Sequence, residues 1–204
     1  MEAFSYLALG DSYTIGEGVA LADNFPYQTV QLLRQEGMML AAPEIIAVTG
    51  WTTDELASAI KQRALLANYD IVTLLIGVNN QYRGRSVEEY ATEFEGLLQQ
   101  AIGFAGGNPS QVFVLSIPDW GVTPFAAERD TAQIALAIDA YNAANERICA
   151  DSHVHYVDIT KAQRVDGNKD VYLATDKLHP SALEYAKWAD QLAKSIKTAY
   201  NFQP

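Results

Sequence analysis

The chain has 204 residues, 49% of them hydrophobic and 19% charged, enough for one globular domain with a substantial core. A formal net charge of −11 argues against partners that need clustered Lys and Arg, nucleic acid and anionic membranes alike. One cysteine, Cys149, rules out an internal disulfide and fits a reducing compartment, although a secreted protein without disulfides has the same composition.

Met1-Glu2-Ala3 leads straight into a strand pattern, with neither the basic region nor the apolar stretch of a signal peptide. No apolar run approaches the ~20 residues of a transmembrane helix. The expectation is a cytoplasmic protein without integral membrane association, or a secreted or periplasmic one whose signal peptide has been removed.

Residues 4–9 form an apolar run stopped by Gly10, the pattern of a buried strand. A loop is expected to about Phe25, and Pro26 then opens a helix closed by Gly37. Residues 44–48 read as a second strand. Thr52 or Thr53 can cap a helix through Leu65, with Glu55 as partner in a capping box. Residues 70–76 are the most continuously apolar strand, ended by Gly77. Ser86, with Glu89 three residues on, predicts a helix over 86–105. Residues 111–117 follow as a fourth strand, broken by Pro118. Ile134, Ile138, Tyr141 and Ile148 recur at helical spacing within 127–150. A fifth strand is expected at 154–159, a loop over 160–178, and a last helix opened by Pro180 or Ser181.

Strands apolar on both faces, alternating with helices, predict a parallel sheet covered on both sides. Five repeats suggest a three-layer α/β/α sandwich with the flavodoxin-like strand order 2-1-3-4-5, as a single domain over 1–204. Ligands bind such sheets outside the carboxyl ends of the strands, where the order reverses. Ser12 follows strand 1, Gly50 strand 2, Asn79 strand 3, and Asp176 and His179 lie between strand 5 and the last helix. All five fall at one end of the sheet.

Their chemistry is complementary. A serine hydroxyl is a weak nucleophile until a base takes its proton. His179 can be that base, and Asp176, three residues earlier in a turn, can accept from its Nδ1–H and fix the tautomer. Pro180 keeps His179 out of the helical region. Asn79 can offer its carboxamide N–H, and the backbone N–H groups of Ser12 and Gly50 can complete an oxyanion hole. Asp11 reads as a loop cap rather than an acid of the reaction.

Gly10-Asp11-Ser12, Gly50, Gly77-Val78-Asn79 and Asp176-Lys177-Leu178-His179-Pro180 together resemble the SGNH subgroup of the GDSL hydrolases, serine esterases and lipases on a flavodoxin-like fold. The resemblance spans nearly the whole chain. It implies Ser12 as nucleophile, His179 as base, Asp176 orienting it, and Ser12, Gly50 and Asn79 as the oxyanion hole. It implies no metal or organic cofactor. Tyr13 stands where the family name has leucine. Asn80 stands where the family usually has aspartate, keeping some hydrogen bonds but losing the charge.

The loop 118–125, with two prolines and two aromatics, is expected to wall an acyl or alcohol pocket, and Trp51, Tyr82 and Trp120 are its candidate substrate-binding residues. His153 and His155, two apart on the expected fifth strand, share a face and read as surface histidines. Cys149 reads as a buried small apolar residue. Glu88, Glu89, Glu93 and Glu95 read as a solvated helix face. The substrate expected is a small-molecule, lipid or sugar ester: a short acyl ester, an acetylated sugar, a lysophospholipid or a thioester. The rival is a non-catalytic ligand- or glycan-binding module on the same fold. A flavin or phosphate binder would want a Ser/Thr-rich cradle after strand 1, which 16–18 does not supply.

Overall fold

A computed structural model describes residues 3–202 of the chain. Met1 and Glu2, part of the N-terminal reading, lie outside the described residues. Five parallel strands form one sheet in the order β2-β1-β3-β4-β5: β1 Tyr6–Gly10, β2 Glu44–Ala47, β3 Ile71–Leu75, β4 Val112–Leu115 and β5 His155–Val157. β1, β3 and β4 are buried along their whole length. That explains why they read as unbroken apolar runs. Each fully buried leucine or valine in them is worth about 1.5–3 kcal/mol of transfer free energy.

Two groups of helices cover the sheet. α2 (Phe25–Gln35) packs against α8 (Ala182–Ala199); α5 (Val87–Phe104) packs against both α3 (Thr53–Ile60) and α6 (Thr131–Asp151). The starts are chemically marked. Asn24, Ser86 and Asp130 each accept a backbone N–H of the first turn through the side chain. Thr52 and Glu55 form the expected capping box.

Several boundaries differ from the sequence reading. α3 stops at Ile60 rather than Leu65, because Ile60 is its last buried anchor and residues 61–64 are exposed. α6 starts at Thr131, set by the Asp130 cap. Three short helices stand where no helix was expected: α1 (Ser12–Ile15), α4 (Val78–Tyr82) and α7 (Thr160–Asp166). α1 and α4 are too short for a periodic signal. α7 turns Thr160 and Gln163 inward, so its buried face is polar and carries no apolar period. His153 has φ 58° and lies before the strand, so it shares no strand face with His155, which stacks on Phe113 with ring centroids 4.8 Å apart. Cys149 is buried in α6, and burial raises its thiol pKa to about 12.

The register positions the site. Gly10, the last residue of β1, pairs with Ala47 of β2 and Leu75 of β3, so the three strands end in one row. Gly10 also has no room to be anything else. A Cβ there would lie 2.1 Å from Thr14 Oγ1 and 2.4 Å from the Leu75 carbonyl oxygen, and the latter is backbone that cannot rotate away. Gly10→Ala is therefore expected to destabilise the fold by about 3 kcal/mol, the upper part of the overpacking range. Denaturant unfolding at neutral pH measures it; a loss under about 0.5 kcal/mol, the size of an ordinary surface substitution, would contradict this packing.

Candidate active site

The chain leaves β1 through Asp11 into α1. Asp11 is the N-cap, its Oδ1 accepting the Tyr13 N–H at 3.0 Å. Ser12 is the first residue of the turn and only 4% exposed. A helix-first residue has no partner for its N–H within its own helix.

The chain leaves β2 through Thr49 and Gly50. Gly50 has φ +88°, the left-handed region that favours glycine, yet a Cβ there would meet nothing within 4 Å. The position has open space beside it. The 50–53 segment is held from α4. Arg83 Nη2 donates to the Gly50 carbonyl at 2.7 Å, and Asn79 Nδ2 donates to the Trp51 carbonyl at 2.9 Å. A carboxamide has two N–H bonds, so Asn79 keeps a second donor beyond that contact.

His179 sits in a tight loop between residues 173 and 180, which are joined by an antiparallel bridge. Asp176 organises the loop. Its Oδ1 accepts the backbone N–H groups of Leu178 and His179, each at 3.0 Å, and its Oδ2 lies 2.5 Å from His179 Nδ1. Lys177 between them takes the left-handed conformation, φ 60°. Partial burial works to raise the Asp176 pKa. The bond to the His179 side chain and the two backbone N–H bonds outweigh it and hold the carboxyl below its ordinary value. His179 is 8% exposed, and its ring packs against Tyr13 with centroids 5.5 Å apart.

Ser12, Gly50, Asn79 and His179 line one pocket of about 220 Å³. Tyr13, Thr49, Val78, Tyr82, Trp120, Phe125 and Leu178 complete the lining. Of the wall residues named from the sequence, Tyr82 and Trp120 are there, packed edge to face at 5.3 Å. The 118–125 loop contributes Trp120 and Phe125, and Trp120 Nε1 donates to Gln81 Oε1 at 2.8 Å. Trp51 is not in the lining; its side chain packs partly buried against the core and its carbonyl serves Asn79. Tyr13, Val78 and Leu178 were missed, although each is the chain neighbour of a nominated residue. Glu93 departs from the solvated face expected for it: Glu88, Glu89 and Glu95 are exposed, but Glu93 is half-buried and accepts from the Thr53 hydroxyl.

The sequence model of the GDSL-like Lipase/Acylhydrolase family matches residues 8–187. A search of curated proteins found no match. Among solved structures, the lipase/acylhydrolase from Enterococcus faecalis superposes with a TM-score of 0.74 at 20% identity, over 96% of each chain. Phospholipase A1 from Streptomyces albidoflavus NA297 gives 0.73 at 20% identity, over 95% of this chain and 100% of its own. Axe2, an acetylxylan esterase from Geobacillus stearothermophilus, gives 0.72 at 18% identity, over 98% and 95%. At these identities the likeness is one of fold.

Asp11 carries an electrostatic cost beside Ser12. It is fully buried, and its Oδ2 has no hydrogen-bond partner among the described residues. Burial raises its pKa to about 7, against the smaller lowering effect of the Tyr13 N–H. The folded state therefore holds a proton that the unfolded chain has released above about pH 4. Stability from this group is present at low pH and is lost as pH rises toward 7. Asp11→Asn removes that titration while keeping an acceptor for Tyr13. Thermal midpoints of the two proteins, compared from pH 5 to pH 8, are expected to shift progressively in favour of the variant. A difference that stays flat with pH would contradict the assignment.

Proposed function

The chain belongs to the GDSL-like Lipase/Acylhydrolase family and is a carboxylic ester hydrolase, and from that premise we propose that Ser12, His179 and Asp176 carry out acyl transfer to water at the pocket. The observation that carries the reading is the geometry of Asp176. One carboxylate oxygen is tied to two backbone N–H groups and the other faces His179 Nδ1, while His179 lines the same pocket as Ser12, Gly50 and Asn79.

In this mechanism Ser12 Oγ attacks the acyl carbonyl carbon and its proton passes to His179 Nε2. Negative charge gathers on the former carbonyl oxygen. The N–H groups of Ser12 and Gly50 and the second N–H of Asn79 stabilise it. The tetrahedral centre collapses, the C–O bond to the alcohol breaks, and the alcohol leaves with the proton from His179. Water then repeats the sequence on the acyl-Ser12 and frees the acid. Asp176 keeps the imidazole in the tautomer that leaves Nε2 free and stabilises the imidazolium.

The pocket bears on the substrate. Its volume of about 220 Å³ falls below the ~300–1,000 Å³ of sites for drug-sized ligands. Its lining holds no Lys, Arg, Asp or Glu, and Val78, Tyr82, Trp120, Phe125 and Leu178 make it apolar. We infer a short, uncharged acyl group. Of the substrates named for the structural neighbours, an acetyl ester suits this space better than a phospholipid.

Nitrophenyl esters of rising chain length test both parts. Ser12→Ala is expected to lose at least about 10³ in kcat, and Asp176→Asn about 10³–10⁴. Fluorophosphonate should label the wild type and not the Ser12 variant; equal rates for the two would overturn the nucleophile assignment. Trp120→Ala should move the preference toward longer acyl chains. An unmoved preference would take Trp120 out of the acyl wall.

A further inference from the structure

Asn80, one residue after Asn79, is fully buried and makes contacts that the mechanism above does not use. Its Oδ1 accepts the N–H of Thr53 at 3.1 Å, the first N–H of α3 and so one without a partner in its own helix. Its Nδ2 donates to Thr53 Oγ1 at 2.6 Å. That hydroxyl donates in turn to Glu93 Oε2 of α5. Each proton has a fixed direction: amide to hydroxyl, hydroxyl to carboxylate. Arg85 Nη1 lies 3.4 Å from the same Glu93 oxygen and ties it to Asp54 at 2.8 Å.

The consequence is mechanical. Gly50 and Asn79 stand on separate segments, and the distance between their N–H groups is set by whatever joins those segments. Arg83 on the Gly50 carbonyl and Asn79 on the Trp51 carbonyl are two of the bonds, the first exposed and the second half-buried. The Asn80–Thr53 pair is the buried one. We propose that Asn80, with Glu93 as the acceptor at the end of the chain through Thr53, is a positioning residue that sets the spacing of the two oxyanion donors. The proposal rests on the reading of Gly50 and Asn79 as those donors.

The relay works with one carboxylate, and in this chain that carboxylate is Glu93. Asn80 Nδ2 lies 3.5 Å from Glu93 Oε2. An aspartate at 80 would put an oxygen in place of that nitrogen. Two carboxylates would then face each other, and the single Thr53 hydroxyl proton could serve only one. Asn80→Asp is thus disruptive here, although aspartate is the residue the family resemblance leads one to expect. Glu93→Gln should cure it, because a glutamine can donate to Thr53 Oγ1 while the hydroxyl turns to Asp at 80. The charge is needed once, at either position.

The test begins with fluorophosphonate labelling of wild type and Ser12→Ala, which decides the nucleophile reading by itself. Kinetics on a short nitrophenyl ester then address the relay. At pH 8, N80D is expected to lose about tenfold in kcat, as a displaced donor would cause, with KM within about threefold of wild type. The N80D/E93Q double variant should return to within about threefold of wild type. Thr53→Val, which cuts the relay without adding charge, should lower kcat and leave KM unchanged; it keeps the test open if N80D does not fold. Labelled wild type combined with an unaffected kcat in Thr53→Val, or a double variant no better than N80D, would overturn the relay alone.

Discussion

Gly10 lies level with Ala47 on one side and Leu75 on the other because three parallel strands share one register. In a sheet buried on both faces, a slip of one residue would exchange every side chain between the two faces. That register is therefore firmly set by burial. It also sets where the three loops begin. Ser12, Gly50 and Asn79 each follow the shared edge within four residues of it. No bond among the site residues creates this proximity; the core does, and the site uses it.

What the register cannot do is fix the loops to better than the length of a side chain. That is left to polar bonds, and they form a pattern. Each candidate group has a partner that limits its movement. Asp11 caps the turn that presents Ser12. Arg83, Asn79 and Asn80 hold the 50–53 segment at three successive peptide groups. Asp176 binds two backbone N–H groups before it reaches the imidazole. The 118–125 loop is braced likewise: Asp119 accepts from the Gly121 N–H at 2.9 Å and pairs with Arg164 at 2.8 Å, and the Phe125 N–H donates to the Lys177 carbonyl at 3.3 Å. That last bond joins the aromatic wall to the histidine loop. Such bracing is what a site needs when donors must sit within a fraction of an ångström of a developing charge.

The strands were legible in the sequence because β1, β3 and β4 are buried on both faces and leave continuous apolar runs, and their order followed from the count of five repeats. Of the longer helices, α5 was legible from its Ser86 cap and α6 from the helical spacing of Ile134, Ile138, Tyr141 and Ile148. α7 was not legible, since its inward residues are Thr160 and Gln163, which bond Ser116, the Ile117 carbonyl and Asp119 instead of burying hydrocarbon. The site residues could be nominated because each directly follows a strand or precedes a helix. The pocket walls were harder. Tyr82, Trp120 and the loop holding Phe125 could be named from the sequence, but Val78, Tyr13 and Leu178 look there like ordinary core residues. The partnership of Glu93 with Thr53 was invisible for a related reason. It joins residues 40 positions apart, and a glutamate among other glutamates on a helix reads as solvated.

The polar groups around Ser12 are not all matched. Asp11 Oδ2 and Thr14 Oγ1 are both buried and without partners among the described residues, and both belong to the cap and turn that present the serine. An unpartnered buried polar group costs about 1–3 kcal/mol. The turn cannot shed it easily. Thr14 packs against the Gly10 position, and the Asp11 cap is what directs Ser12 out of β1. Replacing Asp11 by an apolar residue would relieve the polar cost and release the turn. The sheet edge is thus stabilised by its hydrocarbon and destabilised at the point where it delivers the hydroxyl. The two opposing contributions meet in the five residues from Gly10 to Thr14.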